Sequence, residues 1–250
     1  MNLRIGRFIV PLVAKHQYIE SHLEAIIDFP AFKQWVQRLS TQLSQSSATI
    51  TVHQVTVTDL DLFGTDRIGF VKFNADIRWA DGTKIPGIVF CRGPAVAVFL
   101  VIQSSDSSND NQRWVVLVRQ PRIPIATLDC LELPAGMMDD CDNFAGVAAK
   151  ELQEECGIEL KSTDLIDMTH RWPNSGLVPS GGGCDEFIKL FYCEKKLPWS
   201  IIQSLEGREG GLRDHGERIQ VTLVKYEDVW RKTNDMKALA SIALYERINN

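Results

Sequence analysis

The 250-residue chain is 44% hydrophobic and 24% charged, an ordinary globular composition that fits one or two domains of roughly 100–200 residues each. Its formal net charge of -5 and the lack of any long basic block argue against nucleic acid as the main partner, because a phosphate backbone calls for clustered Lys and Arg. A nucleotide-sized ligand stays compatible, no apolar run reaches the ~20 residues of a membrane span, and the 6 cysteines, scattered without a CxxC pair, read as reduced thiols of an intracellular protein.

Residues 1–16, MNLRIGRFIVPLVAKH, carry two arginines and a short apolar stretch interrupted by Pro11, without a small-residue cleavage site. A remnant of an organelle-targeting segment stays open there, and the cytoplasm is the simpler location. From Tyr18 to Gln45 the apolar spacing is helical, with Pro30 dividing it into two helices. Strands follow in TITVHQVTV and IGFVKFNADIRW, and Asp81-Gly82 is a hairpin turn after Trp79. Past Arg92-Gly93-Pro94, AVAVFLVIQ and RWVVLVRQ read as paired strands, and LELPAG leads by a strand and turn into an acidic helix. EFIKLFYCEK and ERIQVTLVKY are two more strands, and DMKALASIALYERI is a closing amphipathic helix. The pattern is that of a mixed α+β chain without internal repeats.

The segment from Gly136 to Ile158, GMMDDCDNFAGVAAKELQEECGI, carries the chemistry: Gly136 reads as a turn glycine ahead of a short acidic helix whose carboxylates face a cleft. On a helix Glu151, Glu154 and Glu155 fall within about a third of the circumference, at about 100° per residue. Ala145, Ala148, Ala149, Leu152 and Cys156 form the adjacent small apolar stripe, suited to close packing on a sheet, so Cys156 reads as a packing residue. Gly157 supplies the helix stop, and Lys150 and Glu154 are spaced for an i,i+4 pair. Carboxylates crowded in this way repel one another unless a cation lies between them, and oxygen-only ligands favour Mg²⁺ or Mn²⁺.

This spacing resembles the Nudix box, G-x5-E-x7-R-E-U-x-E-E-x-G-U, where U is bulky and aliphatic. Gly136, Glu151, Leu152, Glu154, Glu155, Gly157 and Ile158 match it. Asp142 stands where that pattern has Glu, and Lys150 where it has Arg; Lys keeps the charge and loses the bidentate fork. GIVFCRGPAVAVFLVI, VRQPRIP, LELPAGMMDD, PSGGGCDE, GLRDHGERIQV and DVWRKTNDMKALASIALYE extend the resemblance to the ADP-sugar diphosphatase branch, over roughly residues 55–247. The resemblance implies a Nudix fold, a mixed β-sheet sandwiched between helices, over residues 91–250. Ahead of it, residues 1–90 form a helical and β-rich region for dimerisation and completion of the partner's site.

By the same resemblance the reaction is Mg²⁺-dependent hydrolysis of the diphosphate bond of ADP-ribose or ADP-glucose to AMP and a sugar phosphate, in a homodimer. The metal ligands implied are Glu151, Glu154, Glu155, the Ala135 carbonyl and Glu217. Catalytic roles fall to Glu217, Glu154 and Lys150. Arg119, Arg122, Glu132 and Glu186 are substrate contacts, with pairing to surface acids as the alternative reading of the two arginines. Asp214 and His215 are further candidates for proton transfer, and Pro173 resembles a marker of ADP-ribose-type members. Phe70, Phe73 and Trp79 are available to stack on a base, although core packing explains each as well. Other functions stay open: a UDP-sugar diphosphatase, a Nudix hydrolase of another substrate class, or a non-hydrolytic nucleotide-sugar sensor, favoured only by Asp142 and Lys150.

Overall fold

The computed structural model describes residues 1–47, 49–106, 112–138, 143–172, 176–212 and 216–249. The chain divides into two compact units, Met1–Pro94 with Val178–Glu186, and Ala95–Leu177 with Phe187–Asn250.

The first unit is a six-stranded sheet with helices. Strands β1 (Asn2–Ile5) and β2 (Phe8–Ala14) form a hairpin. So the apolar segment considered for targeting is part of the sheet. Pro11 has no N–H to give; the neighbouring Leu12 N–H reaches the Met1 carbonyl at 2.9 Å. Helices α1 (Gln17–Glu20), α2 (Leu23–Asp28) and α3 (Pro30–Gln45) follow, with Pro30 in the first turn of α3. There its missing donor costs nothing.

Strand β3 (Ile50–Phe63) pairs in parallel with β2 and antiparallel with β4 (Arg67–Trp79). β3 runs six residues beyond the expected end at Val57, because TDLDLF continues the alternation: Leu60 is buried while Asp59 and Asp61 face water. Asp81-Gly82 does turn the chain, with Gly82 at φ 85° and Thr83 N–H on Asp81 Oδ1 at 2.8 Å. Two short strands, β5 (Lys84–Ile85) and β6 (Ile88–Cys91), then add to β4. Val55, Val57, Val71 and Phe73 are fully buried under Ile26 and Phe32, and Trp35 meets Phe73 edge-on at 4.6 Å.

The second unit is built on strands β7 (Ala95–Ser104), β8 (Arg113–Arg122), β9 (Thr127–Glu132) and β10 (Ala135–Met137), followed by helix α4 (Phe144–Cys156). Then come β11 (Ile166–Asp167), β12 (Ile188–Leu197), α5 (Trp199–Leu205), β13 (Glu209–Gly210), β14 (Ile219–Lys225), α6 (Val229–Lys232) and α7 (Met236–Asn249). The sheet order is β11-β12-β7-β8-β14-β13, with β10 also on β7 and β9 also on β8; β12 and β7 are parallel, the other pairs antiparallel.

Strand β7 is apolar almost throughout because both its faces are covered. Val96, Val98, Leu100 and Ile102 pack with Ala148, Leu152 and Cys156 of α4 on one face. Ala97, Phe99 and Val101 pack with Ala238 and Tyr245 of α7 on the other. The mixed sheet between helices, expected from resemblance, is thus the observed architecture.

Candidate active site and metal centre

Helix α4 is framed as its sequence requires. Asn143 caps its start by accepting the Gly146 N–H at 2.9 Å. Gly157 ends it at φ 64°, and the Gly157 N–H returns to the Gln153 carbonyl at 2.9 Å. Ala148, Leu152 and Cys156 are buried and Ala145 and Ala149 partly so, which is the expected stripe. Burial pushes the Cys156 thiol well up, with Glu155 adding to it, so this cysteine packs rather than reacts. Cys91, Cys130, Cys156, Cys184 and Cys193 are all free thiols.

The three box glutamates have different surroundings. Glu155 is buried at 5% exposure, contrary to the cleft-facing position expected for it. The Ala135 backbone hydrogen-bonds its carboxylate, yet Oε2 is buried without a hydrogen-bond partner among the described residues. Burial raises its pKa well above the ordinary range, and Glu151 and Glu132 raise it further against the opposing pull of Arg122. The Glu151 carboxylate lies directly over Gly136: a Cβ built there would stand 1.9 Å from its Oε1. Gly136 is therefore not a turn glycine. It sits in β10 opposite Val96, and its missing side chain makes room for Glu151.

Glu154 is held apart from this pair. Its carboxylate faces Lys150 Nζ at 3.4 Å, the expected i,i+4 pair, and its carbonyl accepts the Gly211 N–H at 3.0 Å. Gly210 approaches so closely that a Cβ would meet the Glu155 carbonyl at 1.9 Å. The segment after β13 is thereby clamped to the last turn of α4.

A second set of charges adjoins Glu155. Glu132, at the end of β9, accepts from Arg122 Nε at 2.6 Å on one oxygen and from Lys237 Nζ at 3.0 Å on the other. Lys237 also meets Asp235 at 2.9 Å, and the other Asp235 oxygen accepts the Leu133 N–H at 2.9 Å. Burial works against the charge on Arg122, and Glu132 overcomes it; for Lys237 Asp235 and Glu132 do the same. Both bases are held above their ordinary pKa. Neither Asp235 nor Lys237 was found from the sequence. The only signal was a polar Thr-Asn-Asp run ahead of a helix, an N-cap pattern that says nothing of the partner strand.

A cation is compatible with this donor set, though no cage is ready-made. Among the described residues no three His, Cys, Asp or Glu side chains are gathered in a geometry that holds a metal ion. Glu155 Oε2, crowded by Glu151 and without a hydrogen-bond partner among the described residues, is nevertheless an oxygen donor of the kind a hard divalent ion takes.

The NUDIX domain model matches residues 92–240, the span that holds all of these groups. The chain belongs to the Nudix family. Over 226 residues it is 44% identical to Nudix hydrolase 14, chloroplastic, of Arabidopsis thaliana, covering 88% of this chain and 71% of that one. A crystal structure of an ADP compounds hydrolase superposes with a TM-score of 0.50 at 15% identity, covering 79% of this chain and 95% of the other; that likeness is one of fold. The chain is thus a Nudix hydrolase. Among the described residues no helix is long and apolar enough to cross a membrane.

The remaining candidates lie around or away from the Nudix box. Arg119 is closed by two bonds to Asp129, at 2.9 and 2.8 Å, the surface pairing considered for it. Glu217 is exposed, and its carboxylate turns back to the Leu212 N–H at 3.3 Å rather than onto a box glutamate. Glu186 belongs to the first unit, where it faces Arg92 at 3.5 Å. In that unit Phe73 is core, Phe70 packs between Phe63 and Phe90 at 5.2 and 5.0 Å, and Trp79 is exposed. Asp142, Pro173, Asp214 and His215 lie outside the described residues.

Proposed function

We propose that this Nudix hydrolase cleaves the diphosphate bond of a nucleoside-diphosphate sugar, ADP-ribose or ADP-glucose, giving AMP and a sugar phosphate. The observation that carries the reading is the buried Glu155 carboxylate with one unpartnered oxygen, crowded by Glu151 and Glu132. A site that concentrates negative charge around an orphaned acceptor suits a divalent cation, and with it a substrate that is itself an anion. The crystal structure of an ADP compounds hydrolase, similar in fold, agrees with that substrate class.

Glu151 and Glu155 would hold Mg²⁺ or Mn²⁺, joined by the Ala135 carbonyl and, after it leaves Lys150, Glu154. An ion held there would supply positive charge for the diphosphate and acidify an attacking water. Until that departure Lys150 holds Glu154 from the solvent side. Arg122 gives Nε to Glu132, and among the described residues no hydrogen bond of its two Nη atoms is seen, so their N–H donors would serve phosphate oxygens. Glu217 would act from the clamped loop, as a further ligand or as the base for the water. Arg119 would first have to part from Asp129 to contact substrate, and Glu186 is in this reading a further substrate contact. That unit would also mediate a homodimer.

The test is incubation of the purified protein with Mg²⁺ and, separately, ADP-ribose, ADP-glucose, UDP-glucose, NADH and a diadenosine polyphosphate, with products identified by mass. AMP plus a sugar phosphate from the ADP-sugars is expected. Cleavage of UDP-glucose alone would replace the base assignment, and binding without turnover of any compound would refute the hydrolytic role.

A further inference from the structure

The structure assigns Lys237, in the first turn of α7, as a positioning residue for Arg122, acting through Glu132 on the diphosphate of the substrate. The assignment deepens the proposed function and rests on it.

The C-terminal segment is fastened to the strand that carries Glu132 by three successive contacts. The Thr233 hydroxyl donates to the Leu131 carbonyl, Glu132 takes the Lys237 ammonium, and the Leu133 N–H goes to Asp235. Asp235 in turn accepts the Lys237 backbone N–H at 3.1 Å, and Thr233 Oγ1 accepts the Asp235 N–H at 2.9 Å. This brace fixes where Lys237 leaves the helix. Its side chain is 14% exposed, that of Glu132 6% and that of Asp235 7%, so the ion pairs are shielded from water and the carboxylate has little freedom.

Glu132 has two oxygens and spends both, one on Lys237 and one on Arg122. Fixing Oε2 fixes Oε1, and Oε1 anchors the Nε edge of the Arg122 guanidinium and restricts its plane. Arg122 is the more exposed partner at 41%, and its flexible stem would otherwise sample many orientations. A planar fork delivers two parallel bonds to a phosphate only when its plane is set. Without Lys237, Glu132 would also draw more strongly on Arg122 and leave a buried, half-paired carboxylate next to Glu155.

The experiment measures ADP-ribose affinity by calorimetry in chelator, where no turnover occurs, alongside kcat and KM with Mg²⁺. The proteins are wild type, Lys237→Met, Lys237→Arg, Arg122→Ala and Lys237→Met with Arg122→Ala. Partners that orient a functional side chain are typically worth 10–100-fold, so Lys237→Met should weaken binding and raise KM by about tenfold or more, with a smaller change in kcat. Lys237→Arg should restore most of the loss, and the double variant should bind no more weakly than Arg122→Ala alone.

A merely structural lysine would lower Tm and leave the affinity of the folded protein unchanged, and that result would overturn the assignment. So would a loss that adds in full to that of Arg122→Ala. Should Lys237→Met fail to fold, Lys237→Gln, which keeps a donor for Glu132, carries the same cycle with the same two refuting outcomes. Wild type that neither binds nor cleaves any nucleoside-diphosphate sugar would refute the proposed function itself, and this role with it. Normal wild type with unaffected Lys237 variants would refute the positioning role alone.

Discussion

Gly136→Ala separates catalysis from folding at one methyl group. The added Cβ would stand 1.9 Å from Glu151 Oε1 and 2.0 Å from its Cδ. To reach the 3.4 Å of ordinary contact, the carboxylate has to retreat by about 1.5 Å. It can do so at small cost to the fold, because Glu151 is half-exposed at the end of a flexible side chain, and an alanine in a strand loses less chain entropy than a glycine. Stability should change by no more than about 1 kcal/mol. Catalysis tolerates the shift poorly, since a misplacement of about 1 Å costs about 10²-fold.

The control is Gly210→Ala, whose Cβ would also meet oxygen at 1.9 Å. There the oxygen is the Glu155 backbone carbonyl in the last turn of α4, with the Glu154 carbonyl at 3.1 Å, and neither can rotate away. The expected cost is overpacking of about 1–3 kcal/mol. Thermal melts and kcat/KM for ADP-ribose across a Mg²⁺ titration, on both variants, test the distinction. Gly136→Ala with kcat/KM within about threefold of wild type, or with a fall in Tm equal to that of Gly210→Ala, would show that the glycine is not there to admit Glu151.

Glu155 gives a pH dependence. Burial, Glu151 and Glu132 raise its folded pKa above the ordinary 4.5, so between those two values the folded state holds the extra proton. Its contribution to stability is therefore complete below about pH 4.5 and is lost as pH rises through the raised folded pKa. Thermal melts in chelator should show that decline in wild type and a flatter profile in Glu155→Gln, and equal slopes would contradict it. Gly157→Ala meets a left-handed φ of 64° and a Cβ placed 2.1 Å from Arg208 Nη2. A loss of about 1–2 kcal/mol is expected in urea unfolding, and an unchanged midpoint would mean the helix end rearranges. Lys150 is 66% exposed and pairs with Glu154. Lys150→Arg should hold kcat/KM within about threefold and Lys150→Ala should cost under about 0.5 kcal/mol; a hundredfold kinetic loss would give Lys150 a direct catalytic role.

Period and punctuation made much of the second unit legible. The stripe Ala148, Leu152, Cys156 declares which side of α4 meets a sheet, and the unbroken run of β7 declares a strand covered twice. What sequence could not supply was long-range pairing. Glu132 and Lys237 are 105 residues apart, and neither is unusual in its own segment. The helical wheel put Glu155 beside Glu151 but contained no β10, the strand that lies against them and turns a surface carboxylate into a buried one. Gly136 was misread for the same reason: a glycine before an acidic helix suggests a turn until the Glu151 carboxylate is seen over it. In the first unit the hairpin of β1 and β2 was missed because Pro11 signals a break, while its neighbour supplies the bond that a proline cannot.

The charges around Glu155 fall into two groups with different consequences. Arg122 and Lys237 are matched by Glu132 and Asp235, through bonds of 2.6 to 3.0 Å, so that quartet is electrically closed. Glu155 differs: Glu151 and Glu132 crowd it, and among the described residues its Oε2 has no hydrogen bond. An unmatched buried carboxylate is relieved either by a proton or by a cation. Both compete for the same oxygen, so the raised proton affinity of Glu155 and the divalent-ion site proposed above would rest on one arrangement of charges. The closed quartet then has a further use in that reading: it supplies rigid dipoles and an arginine close to Glu155 without pairing with its Oε2. A lysine paired directly to Glu155 would stabilise the fold better and leave nothing for the ion to do.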